Sequence, residues 1–378
     1  MVVFSYSFAM RIPRFFVFVT LLVGGLVSGS ASYAATTFAV GQSWRVFHPS
    51  HERNWRGAKT EALISTVWYP VSPDAKTAEK PQVIGEPGHA LFEAGSAAGD
   101  APIASAPAKL PVVMLSHGTG GSAMQLAWLG TELARHGYIA VGVNHPGNNA
   151  LEPYTGEGFV LWWERATDIS DALDALLKDA MFGPHVDLSR VGAAGFSIGG
   201  YTVLELAGSR TSQEDFLAMC EKNLELPTCR VPEMKEIGDL NEMLAKVRAS
   251  SAESMARGGA SYRDPRIRAV FAIAPAVGQA FRVDGFREVK IPVAMVVGEA
   301  DPLAPAATNA TKFHKLMPKS ELTVLTGGVA HYTFLDTCTA AGKAMLGVYC
   351  GDQAGVDRDK VHTTVAGLAV EFFDRNLH

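Results

Sequence analysis

The stretch "RVGAAGFSIGGYTVLEL", Arg190 to Leu206, holds one serine, Ser197, inside Gly195-Phe196-Ser197-Ile198-Gly199. The residues before it read as a buried strand, and those after it suit a helix. A glycine two before and two after the serine meets the needs of a sharp strand-to-helix turn. Such a turn brings backbone close to backbone and aims Oγ outward at the end of a sheet. Ser197 would also sit at a helix N-terminus, where free N–H groups favour negative charge. Glycine is common in this chain, with 37 among 378 residues, so the pentapeptide alone does not separate a nucleophile from a turn hydroxyl. Its surroundings decide between them.

From Pro111 onward, short β-branched runs alternate with helical patterns, the signature of a parallel sheet built from strand-helix-strand units. The strands are "PVVMLSH" (111–117), "IAVGVNH" (139–145), "RVGAAGFS" (190–197), "IRAVFAIAP" (267–275), "VAMVVGEAD" (293–301) and "ELTVLTG" (321–327). Helices are expected over 122–136, 161–179, 199–208, 305–316 and 361–376. Ahead of them, "ALISTVWYP" (62–70) reads as a strand of an antiparallel hairpin paired with 42–47. Residues 71–109, rich in Ala, Pro, Gly and Ser, read as a surface loop. Residues 209–262 are helix-forming and interrupt the alternation, so they form either a cap over the strand ends or an excursion packed away from them.

A serine hydroxyl becomes a nucleophile when an imidazole takes its proton, and the imidazole needs a carboxylate to fix its tautomer and stabilise its cation. In the order serine, acid, histidine, the acid follows a later strand and the histidine lies in a loop after the last one. "VAMVVGEADPLAP" supplies Asp301, and "LTGGVAHYTFL" supplies His331. Glu299 and Asp284 are rival acids, Asp336 could instead cap a helix, and His362 is the rival base. The oxyanion needs two N–H donors. Ile198 supplies one, and Thr119 in "LSHGTGGSA" (115–123) the other. That loop also offers His117 and Gly118 as substrate-binding candidates. "VNHPGNN" (143–149) follows the second core strand, so His145 and Asn148 either wall a substrate pocket or form a turn that holds the oxyanion loop. Arg165 and Asp168 are expected to form structural ion pairs. Trp162 and Trp163 are adjacent on one helix, so one belongs to the core and the other is free to line a pocket.

Composition sets outer limits. The chain is 48% hydrophobic and 19% charged with a formal net charge of −5, enough for a substantial core and without the basic footprint of a nucleic-acid partner. Arg11 and Arg14 precede an apolar run from Phe15 to Val27 and the small residues around Ala34. Residues 1–34 therefore read as a secretory signal peptide, whether translation starts at Met1 or Met10, and 35–378 as the mature domain with no integral membrane span. The four cysteines, Cys220, Cys229, Cys338 and Cys350, all follow that signal, and pairing neighbours is the simplest of three connectivities. No Cys or His spacing suggests a metal site, and the chemistry needs no cofactor.

"LSHGTGG", "GFSIGG", "GEADPLAP" and "GGVAHYTF", in this order, resemble the α/β-hydrolase fold: a mostly parallel central sheet flanked by helices. With "TVWYP" (66–70), "ARHGYIAVGVNHPGN" (134–148) and "ATDISDALDALL" (166–177), the chain is similar to bacterial predicted dienelactone hydrolases akin to platelet-activating-factor acetylhydrolases. The likeness runs from about Val40 to the C-terminus and is weakest in 71–109 and 209–262. It departs from the pattern twice. Dienelactone hydrolases use a cysteine nucleophile where Ser197 stands, and the acetylhydrolases place their acid after the strand corresponding to 269–281, which here holds no carboxylate. The resemblance implies a serine hydrolase that cleaves small-molecule carboxylic esters through an acyl-enzyme, and the signal peptide places it in the periplasm or outside the cell. The alternatives are amide, peptide or polyester hydrolysis on the same scaffold, or a non-catalytic binding protein.

Overall fold

Strands that are apolar along both faces form the middle of a sheet covered on each side, because a parallel sheet carries its crossover helices on its faces. In the computed structural model of the chain, which describes residues 37–86, 88–236 and 240–377, the strands are β1 (Ala39–Phe47), β2 (Leu63–Val71), β3 (Lys80–Glu86), β4 (His89–Gly99), β5 (Leu110–Ser116), β6 (Ile139–Val143), β7 (Val186–Phe196), β8 (Ile267–Ile273), β9 (Val293–Gly298), β10 (Glu321–Leu325) and β11 (Thr337–Cys338). They form a sheet in the order β10-β9-β8-β7-β5-β6-β2-β1-β4-β11, with β3 paired to β4. From β6 to β10 all pairings are parallel. The hairpin of β1 and β2 adds antiparallel strands beside β6.

Alternate residues of the central strands enter two cores. Val112, Met114 and Val141 pack with Ile169 and Leu173 of helix Glu164–Lys178. Val113, Leu115 and Ala140 pack with Leu129 and Leu133 of helix Ala127–Arg135 and with Phe372 and Phe373 of helix Arg358–Leu377. The parallel register pairs Ser116 with Gly195, Phe196 with Ile273, and Leu325 with Gly298. The loops carrying Thr119, Ser197, Asp301 and His331 therefore leave the sheet along one edge.

The reading of 71–109 as a loop is overturned, because this segment contains β3 and β4. Alternation is hard to see in "HALFEAGSAAG", where alanine and glycine replace β-branched residues, yet Ala94, Ala97 and Ala98 are buried. Small side chains suffice where a strand lies flat against a neighbouring layer, and Gly95 faces Thr131 at close range. The strand has a structural role: it pairs with β11, just after the His331 loop. The helix expected over 305–316 forms only as Ala310–Leu316, since Asp301 and the residues after it are held in turns.

The inserted segment holds helices Gln213–Lys222, Leu240–Ser250 and Ala252–Ala256, with short 3-10 turns at Pro227–Cys229 and Pro232–Glu236. Disulfides join Cys220 to Cys229 and Cys338 to Cys350, so each cysteine pairs with its neighbour in sequence. The segment read as an export signal lies outside the described residues. No helix among the described residues is long and apolar enough to cross a membrane.

Helix Ile198–Leu206 carries a buried acid. Burial pushes the Glu205 carboxyl up to about 8, against the opposing hydrogen bonds of Thr211 and Tyr201. The folded chain then keeps a proton that the unfolded chain releases above the ordinary glutamate range of about 4.3. Stability should fall as pH rises from about 4.5 to about 8 and be insensitive to this group above that. Glu205→Gln, which mimics the protonated acid, should lose less stability than wild type between pH 5 and pH 8 in urea titrations.

Candidate active site

The glycines around Ser197 are required by contact distances. A Cβ on Gly199 would lie 1.9 Å from the Ser116 carbonyl oxygen, and one on Gly195 would lie 2.2 Å from that of Gly199. Ser197 itself has φ 57° and ψ −119°, a conformation L-residues rarely adopt and one that costs on the order of 1–3 kcal/mol. Hydrogen bonds hold it there. Its N–H donates to Ile273 at 2.9 Å, and its carbonyl accepts from Ala276 at 3.1 Å and Tyr201 at 3.2 Å.

Ser197 Oγ lies 2.9 Å from His331 Nε2, and His331 Nδ1 lies 2.6 Å from Asp301 Oδ2. With the proton on Nδ1, the imidazole donates to Asp301 and accepts from the Ser197 hydroxyl. All three residues are buried, with Ser197 the most accessible at 7%. Asp301 divides its oxygens between two tasks, since Oδ1 accepts from the Leu303 and Ala304 amides at 2.9 and 2.8 Å. Carboxylate and turn thus share one residue, and "ADPLAP" encodes both.

The rivals are employed elsewhere. Glu299 accepts from the Gly327 and Gly328 amides and shapes the loop leading to His331. Asp284 borders a separate hollow. Asp336 is buried against the Trp128 amide, and burial holds its carboxyl well above the usual range. His362 stacks on Trp128 with ring centroids 4.6 Å apart, contacts the Thr333 carbonyl, and is drawn by burial down to about 4.

Ile198 opens the helix after Ser197, so its N–H has no carbonyl one turn earlier to bond. In the loop after β5, the Gly120 amide donates to Asn148 and the Gly121 amide to Gly118. The Thr119 amide has no such acceptor among the described residues. Thr119 and Ser197 both border two cavities that meet at His331. One, of about 210 Å³, is lined by Gly118, Phe92, Tyr154, Glu233, Tyr332 and Tyr349, among others. The other, of about 100 Å³, is mainly apolar and lined by Trp162, Phe216, Leu217, Val231, Met234 and Met243, among others. Hollows of about 550 and 540 Å³ lie elsewhere and contain none of Ser197, His331 and Asp301.

Of the four substrate-binding candidates, Gly118 borders the larger cavity at Ser197 and Asn148 the apolar one. His117 and His145 are fully buried and line neither, so the expectation for His117 is corrected, and of the two readings of His145 the hydrogen-bonded turn is the one found. His117 Nδ1 contacts the Gly118 carbonyl, and its Nε2 accepts from the His145 amide. His145 lies between Ser116 Oγ and Asp168 Oδ2. Burial, with help from Arg165, holds His117 well below the usual histidine range and His145 at about 3, so both rings are neutral. Among the described residues the expected structural ion pairs form at Asp168 but not at Arg165, and the two do not pair with each other. Asp168 reaches Arg53, Arg56 and His145, whereas Arg165 donates to Asn148 Oδ1 and the His117 carbonyl. Despite burial, Arg56 and Arg53 keep the Asp168 carboxyl well below its ordinary value. Trp163 is core, bonded to Ser254, while Trp162 borders the apolar cavity. The residues of the 209–262 segment that line the apolar cavity were not individually visible in sequence.

A family model described as platelet-activating factor acetylhydrolase, isoform II, matches residues 45–158. The cutinase est1 of Thermobifida alba is 31% identical over 100 residues, 26% of this chain and 30% of that protein. Cutinase 2 of Thermobifida cellulosilytica is 31% identical over the same length, 34% of its own chain. This chain therefore spans about a third of the length of the curated relatives it matches. Among solved structures, a ferulic acid esterase from Streptomyces cinnamoneus superposes with a TM-score of 0.56 at 19% identity, covering 91% of each chain. With the sheet order and crossovers above, the chain is an α/β-hydrolase by fold.

The strained backbone gives a direct check. Glycine tolerates a positive φ that serine does not, so Ser197→Gly should raise stability by about 1 kcal/mol over wild type. Ser197→Ala should not, and paired urea denaturation curves measure the difference.

Proposed function

We propose that this chain is an exported serine esterase that cleaves carboxylic esters through an acyl-enzyme. The observation that carries the reading is the unbroken run of hydrogen bonds from Ser197 Oγ through His331 to Asp301 Oδ2, at 2.9 and 2.6 Å. In this scheme His331 Nε2 takes the hydroxyl proton as Oγ bonds to the ester carbonyl carbon. The carbonyl oxygen becomes an oxyanion between the N–H groups of Thr119 and Ile198. Collapse breaks the carbon–oxygen bond to the alcohol, which leaves with the proton from His331. Water then repeats the sequence on the acyl-serine, releasing the acid and restoring Ser197. Asp301 holds the Nδ1 proton throughout and stabilises the imidazolium.

The match to cutinases over part of the chain supports ester chemistry. Export is supported by the charged and apolar pattern of residues 11–34 and by two disulfides. Walls contributed by the 209–262 segment to the cavity beside Ser197 favour a small ester over a polymer laid across an open surface.

A fluorophosphonate probe should label Ser197 and no other serine, as read by mass mapping. Ser197→Ala and His331→Ala should each lose on the order of 10⁵-fold or more in turnover of short p-nitrophenyl esters, and Asp301→Asn about 10⁴-fold. Labelling at another serine, or near-normal turnover by Ser197→Ala, would sink the proposal. Cleavage of aminoacyl amides in preference to esters would move the reading to amide hydrolysis.

A further inference from the structure

The groups around Thr119 are tied down one by one, while its own amide has no acceptor among the described residues. On the near side, the His117 carbonyl accepts from Arg165 Nη2, and the Gly118 carbonyl accepts from His117 Nδ1 at 2.6 Å and the Gly121 amide at 3.3 Å. On the far side, Gly120 is pinned at both ends of its residue. Its N–H donates to Asn148 Oδ1 at 3.0 Å, and its carbonyl accepts from Tyr154 Oη at 2.7 Å. The Gly121 carbonyl accepts from the Ala150 amide at 2.7 Å.

Asn148 Oδ1 is the junction of this set, because it also accepts from Arg165 Nη1 at 3.0 Å. Both of its partners are donors, so the amide is oriented with oxygen toward the loop. Arg165 is 2% exposed and has no carboxylate partner among the described residues. Its guanidinium is committed instead to the loop's acceptors. Asp168, which might have drawn it away, is shared among Arg53, Arg56 and His145.

We infer that Asn148 and Arg165 are positioning residues for ester hydrolysis, holding the 117–121 loop so that the Thr119 N–H points at the developing oxyanion. Neither touches the reacting atoms in this role. The inference rests on the serine-esterase reading. A donor misplaced by about 1 Å is expected to cost about 100-fold in rate, and loss of one oxyanion donor costs 10²–10³-fold, so the effect belongs in kcat.

The test is steady-state kinetics of full-length wild type, Asn148→Leu and Asn148→Asp with p-nitrophenyl acetate, alongside melting temperatures. Asn148→Leu removes the acceptor at similar volume and should lower kcat about 10- to 100-fold with KM within about threefold. Asn148→Asp keeps an acceptor for both Gly120 and Arg165 and should recover most of that loss. A wild-type kcat in Asn148→Leu, a loss confined to KM, or an Asn148→Asp variant as impaired as Asn148→Leu would each overturn the inference. Should Asn148→Leu fail to fold, Tyr154→Phe at a half-buried position keeps the test open. It should lose about threefold to tenfold in kcat with a melting temperature lowered by no more than a few degrees, and an unchanged kcat would count against the inference. A wild-type chain that turns over no ester would overturn the proposed activity beneath it, which separates the two failures.

Discussion

Gly199 packs so tightly against the Ser116 carbonyl that no side chain fits between them. That contact presses the first turn of helix Ile198–Leu206 onto the end of β5 and so sets the spacing between the Ser197 turn and the 117–121 loop. Gly195 and Gly118 make the matching approaches, to the Gly199 backbone and the Phe196 ring. A backbone held at positive φ costs free energy. It persists because backbone partners on both sides of the residue hold it: Ile273 at the end of β8, Ala276 in the loop that follows, and Tyr201 in helix Ile198–Leu206. The remaining groups of the site are placed relative to this fixed point.

Behind the loop lies a layer whose chemistry differs from that of the site it supports. Arg53, Arg56, Arg165, Asp168, His117 and His145 are packed together with little access to water. Burying charge is costly unless each group is paired or hydrogen-bonded. Asp168 meets this condition through two guanidinium groups and an imidazole N–H, and the two histidines meet it by staying neutral. Arg165 meets it in part: Nη1 and Nη2 bond to an amide and a carbonyl oxygen, Nε is buried without a hydrogen-bond partner among the described residues, and burial draws its pKa down to about 9. A cation held on acceptor oxygens is directional, so this layer fixes the geometry of the backbone in front of it as well as contributing charge.

The two cavities at Ser197 come from opposite parts of the chain. The apolar one is walled largely by the inserted helices, with the Cys220–Cys229 disulfide among its lining residues. The other is bounded by Phe92 from β4 and by Leu346 and Tyr349, which lie between Cys338 and its partner Cys350. The insertion also reaches the second cavity, where Tyr332 donates to Glu233 at 3.0 Å. The residue beside His331 is thereby tied to the inserted segment.

The central strands, the Ser197 turn and the positions of Asp301 and His331 were legible in the sequence, because each depends on local rules. Buried parallel strands are apolar along their length, a sharp turn demands glycine, and the order serine, acid, histidine follows the order of the strand ends. Strand β4 was not legible. Its alanines and glycines satisfy packing against Thr131 and the neighbouring layer without the alternation that marks an exposed-face strand. Nor were the partners of Asp168 and Arg165, which sit one turn apart on a helix and suggest a pair, yet bond to residues from about 17 to 115 positions away. By itself the sequence determined which strand ends carry the candidate side chains and narrowed the acid and the base to a few residues each. Only the tertiary structure decided which of the nearby histidines are buried supports, which carbonyls take the buried arginine, and what walls the cavities, because those outcomes depend on contacts between segments far apart in the chain.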